Sequence, residues 1–289
     1  MDLKQRLHHH LTQIVRDRDP YLSTGGHFFV KQYIHQQLSQ WGNVEIHEFE
    51  VKGKNYQNLI LNLAADNSSK KPPVLIGAHY DAVPGTPGAD DNATGVAALL
   101  ELARIFAFQP AKYPLRLVAF DLEEYGFTNE NGIAVNSGAS EYADLLRQQQ
   151  QPLRLMISLE MLGYCDSTPG SQRYPASLER FYPNRADFIA LIGNLATIPD
   201  LIRLSRNIRQ VGVASHWLPV PNRGRILPLT RRSDHAPFWD RGYPAMMVTD
   251  TSLLRNPHYH KASDRIETLD LDFLTNVCHG LIKAIPFIP

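Results

Sequence analysis

Val74-Leu75-Ile76-Gly77-Ala78-His79-Tyr80-Asp81, followed shortly by Gly88-Ala89-Asp90-Asp91-Asn92-Ala93-Thr94-Gly95, is the stretch that decides the fold. The β-branched and apolar run Val74–Ile76 reads as a buried strand. It delivers a histidine and acids into a glycine- and proline-rich loop. In open α/β sheets ligands bind outside the carboxyl ends of such strands. Thr94 to Phe106 is apolar at helical spacing, so the acidic loop opens onto a helix whose amino end favours negative groups.

Working outward, Leu115–Asp121 is a second apolar strand running into Glu123-Glu124-Tyr125-Gly126, and Leu155–Glu160 is a third that itself ends in an acid. Upstream, Leu3, Leu7, Leu11 and Ile14 recur at helical spacing. His8-His9-His10 in that helix points three ways and cannot converge on one metal, so it reads as a solvated face. Asp17-Arg18-Asp19-Pro20 breaks the helix. A second helix is predicted from about Gly26 to Trp41, a half-solvated strand at 44–51 with His47 at the surface, another at 58–63, and a polar turn at 67–71. Downstream, helices are predicted near 137–150, 187–195, 201–208 and 269–285, with a last strand at 245–249. Residues 164–185 and 211–233, rich in proline and arginine, read as long loops. Strands alternating with helices and no linker point to one α/β domain spanning 1–289, a three-layer α/β/α sandwich around a mixed, mostly parallel sheet. The amino-terminal helices of residues 1–42 pack on it.

Composition excludes several classes. The chain has 289 residues, with 29 basic and 29 acidic side chains. It therefore presents no global field to draw in nucleic acid or an anionic membrane. No apolar stretch is long enough to span a bilayer. Cys165 and Cys278 read as unpaired thiols. With no apolar leader at the amino terminus, the chain reads as cytoplasmic.

Four strand ends or adjoining loops thus carry metal-ligating side chains: His79 with Asp81, Glu123-Glu124, Glu160, and a late loop with Tyr259-His260. Each acid alone has a plainer reading. Asp91 suits a helix cap, and Glu124 a surface position. Together they are harder to dismiss, because buried carboxylates are costly unless paired or metal-bound. Imidazole with carboxylate suits zinc best, with cobalt or manganese as alternatives.

The strings His79-Tyr80-Asp81, Gly88–Gly95, Asp121–Gly126, Ser158–Gly163 and Tyr259-His260, in this order, resemble the motifs of the co-catalytic zinc aminopeptidases, to which the glutaminyl cyclases are related. The resemblance implies two zinc ions: His79 and Glu160 on one, Glu124 and His260 on the other, and Asp91 bridging both. It implies that Glu123 is the general base, that Asp81 orients His79, and that Tyr259 donates to the developing oxyanion. Glu160 departs from the aspartate of many relatives. The string Ser233–Trp239 also resembles a cleft-lining segment, with His235 readable equally as structural. The implied substrate is a peptide or small amide with a free amino terminus. The loops 164–185 and 211–233 would set specificity, and Arg231 with Arg232 could instead recognise a carboxylate. Two rivals remain, a single-zinc cyclase and a non-catalytic binding protein on the same scaffold. No Gly-x-Ser-x-Gly elbow is present, so serine-nucleophile chemistry has no support. Oligomeric state is not legible.

Overall fold

The computed structural model describes residues 1–66, 71–130, 132–175 and 178–288. Except for Lys71, the polar turn expected at 67–71 lies outside them. In chain order the larger elements are α1 (Leu3–Ile14), α2 (Thr24–Leu38), β1 (Val44–Val51), β2 (Lys54–Leu63), β3 (Val74–His79), α3 (Gly95–Phe108) and β4 (Leu115–Phe120). There follow a small hairpin, β5 (Phe127–Thr128) and β6 (Ala134–Val135), then α4 (Gly138–Gln148), β7 (Leu155–Glu160) and β8 (Phe188–Asn194). The chain closes with α5 (Ile198–Arg209), β9 (Ala214–Val220), α6 (His235–Asp240), β10 (Ala245–Thr249) and α7 (Leu271–Ala284).

Eight strands form one sheet in the order β1-β2-β4-β3-β7-β10-β8-β9. The middle four, β4, β3, β7 and β10, are mutually parallel, whereas β1, β2 and β8 pair antiparallel at the flanks. The parallel middle is buried on both faces, which its unbroken apolar runs require. Along β3, Val74, Ile76 and Ala78 enter one core with α1, α2, α3, α5 and α7, while Leu75 enters the opposite core with α4 and α6. The same alternation runs through Leu117 and Val118 on β4, as the two-residue strand period dictates. Three layers result, and the four parallel strands all end on one edge. His79 stands across from Phe120, and Thr249 from Glu160.

Some local expectations change. Residues 188–194 form a strand where a helix was expected, because Phe188–Gly193 is a short apolar run buried on both faces, and periodicity cannot separate such a run from a helix segment. Within 211–233, residues 214–220 form edge strand β9, parallel to β8. His10 is buried rather than solvated: its Nδ1 lies 2.7 Å from the Tyr33 hydroxyl and its Nε2 3.3 Å from Glu101. His47 is half-buried, with Nδ1 3.0 Å from the Asn58 amide. Among the described residues no helix is long and apolar enough to cross a membrane.

Candidate metal centre

The site forms where the β3–α3 loop meets the ends of β4 and β7. Its histidines and acids converge into two adjoining groups, His79 with Asp91 and Glu160, and Asp91 with Glu124 and His260. His79 Nε2 lies 3.3 Å from Asp91 Oδ1 and 3.5 Å from Glu160 Oε2. His260 Nε2 lies 3.1 Å from Asp91 Oδ2 and 3.4 Å from Glu124 Oε2. Each oxygen of Asp91 therefore serves a different group. That is the geometry of a carboxylate shared between two cations about 3.5–4 Å apart.

Left-handed backbone occurs at three non-glycine positions of the site. Leu122, Met161 and His260 all have positive φ, at 61°, 51° and 57°, and each is a ligand candidate or stands within two residues of one. Such conformations persist only where surrounding structure over-determines them. The hydrogen bonds that do so are visible. Asp90, Asn92 and Thr94 each accept a main-chain N–H from the turn after β7, those of Gly163 at 2.9 Å, Met161 at 3.1 Å and Leu162 at 3.0 Å. The acid–amide–hydroxyl alternation of the Asp90–Thr94 string thus stitches the loop bearing Asp91 to the strand bearing Glu160. Gly95 is needed because a Cβ there would stand 2.6 Å from the Leu159 carbonyl oxygen. Asp81 accepts the main-chain N–H groups of Glu123 and Glu124, both at 3.1 Å, and its Oδ1 lies 3.3 Å from His79 Nδ1. Glu123 lies beside His79 and Glu124 at the wall of the cavity. The Tyr259 ring stacks on that of His260 with centroids 3.7 Å apart.

Electrostatics follow from crowding these charges. Burial disfavours a protonated ring at His79, yet Glu160, Glu123, Asp81 and Asp91 raise its pKa well above normal. Burial likewise opposes His260, but Asp91 and Glu124 raise it to about 10. Burial pushes Glu124 up to about 7, with Asp91 adding to the shift and His260 opposing it. Glu123 is also raised well above the usual carboxylate range, first by desolvation, with Glu124, Glu160 and Asp234 adding to it against His79. Without metal the cluster therefore holds extra protons. Two imidazoles with three carboxylates form a donor set that suits zinc. These two closely spaced ligand clusters support a di-zinc centre.

Asp264 and Asn256 support the site without a signal in the sequence, and the Ser233–Trp239 segment, expected to line the cleft, adds Ser233 and Asp234. Asp264 accepts the main-chain N–H of Asp90 at 2.9 Å and of Asp91 at 3.1 Å, and Asn256 donates to Asp90 at 2.7 Å. The Ser233 hydroxyl donates to Glu160 Oε2 at 2.7 Å. Asp234 is buried against the cavity with neither carboxylate oxygen hydrogen-bonded, and desolvation with Glu160 nearby raises it to about 8. His235 proves structural. It is fully buried, with Nε2 2.8 Å from the Thr230 carbonyl and its ring edge-on to Trp239. Arg231 is committed to Asp240 at 2.7 Å, which leaves Arg232, exposed, at the cavity rim. His258 stands outside the cluster, near Ser263.

The ligand cluster opens into a polar cavity of about 260 Å³ lined by Asp91, Glu123, Glu124, Glu160, Asp234 and Tyr259. An apolar cavity adjoins it, reaching Glu160 and walled by Tyr174, Tyr182, Phe188, Ala190, Trp217 and Met247 among others. Its walls come from strands β8, β9 and β10, from the loop before β8 and from the loops after β9 and β10.

Known proteins carry the same architecture. An Escherichia coli protein described as uncharacterized protein YfbL is 36% identical over 261 residues, covering 86% of this chain and 76% of its own. The LapA aminopeptidase of Legionella pneumophila superposes with a TM-score of 0.67 at 21% identity, over 98% of this chain and 70% of that one. A glutaminyl cyclase from Tannerella forsythia reaches 0.69 at 19% identity, over 98% of both chains. At those identities the two solved structures establish the fold and leave the reaction to the side chains. The sequence profile of peptidase family M28 spans residues 58–285, from β2 to the last helix, and takes in every strand end that feeds the site. With that span matched and the ligand groups assembled inside it, this chain belongs to peptidase family M28.

Proposed function

We propose that the protein is a two-zinc aminopeptidase that removes an apolar residue from the free amino terminus of a peptide. The observation that carries this reading is Asp91, whose two oxygens face two separate His–carboxylate groups. A single-ion cyclase would have no use for a second complete set. In this reading His79, Asp91 and Glu160 hold one ion, and Asp91, Glu124 and His260 the other. Bound zinc supplies Lewis acidity toward the scissile carbonyl and lowers the pKa of water toward about 7. Glu123 takes the proton of the attacking water and returns it to the leaving amine. Asp81 fixes His79 and the Glu123-Glu124 turn together. The Tyr259 phenol, kept protonated by burial and the surrounding carboxylates, donates to the oxygen that gains charge.

The adjoining apolar cavity takes the amino-terminal side chain, and its aromatic and aliphatic walls select large apolar residues. The carboxylates facing the polar cavity suit the substrate's ammonium group. Residues 1–289 act as one peptidase domain, since α1 and α2 share a core with β3 and α3. We assign the protein to the cytoplasm because its two cysteines are unpaired thiols; fractionation of the native host that finds it in an oxidising compartment would overturn that assignment. The reaction is tested with matched peptides bearing a free, an acetylated or a glutaminyl amino terminus. Cleavage of the free form only is the expected result. Cleavage of the acetylated form removes the aminopeptidase reading, and cyclisation of the glutaminyl peptide without cleavage assigns the cyclase.

A further inference from the structure

Arg18 sits in the turn between α1 and α2, before the span matched by the family profile, and is completely buried. Every hydrogen bond it makes goes to a main-chain carbonyl. Its Nε donates to Tyr80 at 2.8 Å, Nη1 to Pro87 at 2.6 Å and to Arg16 at 3.4 Å, and Nη2 to Gly88 at 2.9 Å and to Asp91 at 3.2 Å. Tyr80 lies between His79 and Asp81, and Asp91 is the shared carboxylate itself. One rigid, planar fork therefore grips the two segments that carry His79 and Asp91. A guanidinium remains charged even when buried. Burial lowers its pKa from the ordinary arginine value, and Asp91, Asp264, Asp81 and Glu124 oppose that shift through space.

Gly88 shows how closely the loop is moulded to this cation. Its φ is +61°, and a Cβ there would stand 2.8 Å from both Nη atoms and 2.4 Å from the Asp91 carbonyl oxygen. A lysine could supply the charge, but its single ammonium has no fork to reach five separated carbonyls.

We propose that Arg18 is a positioning residue that fixes the separation of the two metal shells by tying the backbone of Tyr80, next to His79, to the backbone of Asp91. It touches neither substrate nor metal. The two shells meet at Asp91, so displacing that residue degrades both. The proposal rests on the two-metal reading above. It also gives the segment 16–19 a second anchor, since Asp19 accepts the hydroxyl of Tyr125, the neighbour of Glu124, as well as the main-chain N–H of Tyr21 at 2.8 Å.

The test uses the full chain as wild type, R18K, R18M and G88A. Zinc affinity is measured by competition with a chromogenic chelator, folding by circular dichroism, and kcat and KM on an aminoacyl anilide. The expected result is that R18K and R18M, in the folded state, hold their weaker zinc about tenfold to a hundredfold less tightly. Their kcat should fall while KM stays within about twofold, and G88A should show the same pattern. Should R18M fail to fold, R18K, which keeps the charge, carries the test. Folded R18K with wild-type affinity for both ions overturns the proposal. So does a loss of thermal stability that is equal with and without zinc and leaves both affinities unchanged. A wild type that does not bind two zinc ions refutes the two-metal reading first, and is thereby distinguishable.

Discussion

The Asp81 carboxylate lies 3.3 Å from His79 Nδ1 and at the same time accepts the main-chain N–H of Glu123 at 3.1 Å. One buried acid thus couples a metal-ligand candidate on β3 to the turn that carries the proposed base after β4. D81N keeps the size of the side chain but removes the charge that favours a proton on Nδ1 and a lone pair on Nε2. Zinc affinity should fall about tenfold to a hundredfold, the usual effect of losing an outer partner of a ligating histidine. Wild-type affinity in D81N, measured by chelator competition, would remove Asp81 from this role.

Glu123 and its neighbour Glu124 should separate cleanly on mutation. E123Q should lose about a hundredfold to ten-thousandfold in kcat, the range for a general base, with both zinc ions retained. E124Q should lose zinc as well. Metal analysis beside steady-state kinetics checks both, and a fully active E123Q would assign the base elsewhere.

Zinc binding should release protons. In the metal-free protein His79 is raised well above its normal pKa, and His260 to about 10, by the carboxylates that outweigh their burial. Both rings therefore favour the protonated form and must become neutral to bind. Affinity should rise with pH, and calorimetry in buffers of different protonation enthalpy should register a net release of protons as both sites fill. Zero release would contradict the charge state described here. For the metal-free fold the sign is opposite. His260 has a folded pKa of about 10 against a reference of 6.5, so its stabilisation is complete below about pH 6.5 and disappears as pH rises through about 10.

The apolar cavity offers a selectivity test. Ala190 on β8 is one of its few small walls. A190F should fill it, lowering kcat/KM for amino-terminal leucine or phenylalanine by about tenfold or more while sparing alanine, in line with the worth of a few methylenes in an apolar pocket. An unchanged preference would show that the side chain is held elsewhere.

Much of this site was legible because its ligand candidates follow apolar runs. Val74–Ile76, Leu115–Phe120 and Leu155–Leu159 announce buried parallel strands, and an acid or histidine at such an end needs a partner. The supporting groups were hidden for a different reason. Arg18 looks like a solvated charge in a helix-breaking turn, and its carbonyl partners at Tyr80, Gly88 and Asp91 lie 62 to 73 residues away. Asp264 reaches its two main-chain donors across 173 and 174 residues. No local pattern encodes pairings of that span. Strand β8 differs from the expected helix for a local reason: a short run buried on both faces carries no period.

The central claim is that two ions share Asp91 and that hydrolysis needs both. The most direct measurement starts from protein stripped with a chelator and follows hydrolysis of an aminoacyl anilide as zinc is added back in counted equivalents. The account predicts no activity in the stripped protein and a rise that levels off at about two zinc ions per chain, the complement of a shared-carboxylate site. Full activity after stripping, or a plateau at one ion per chain, would contradict it.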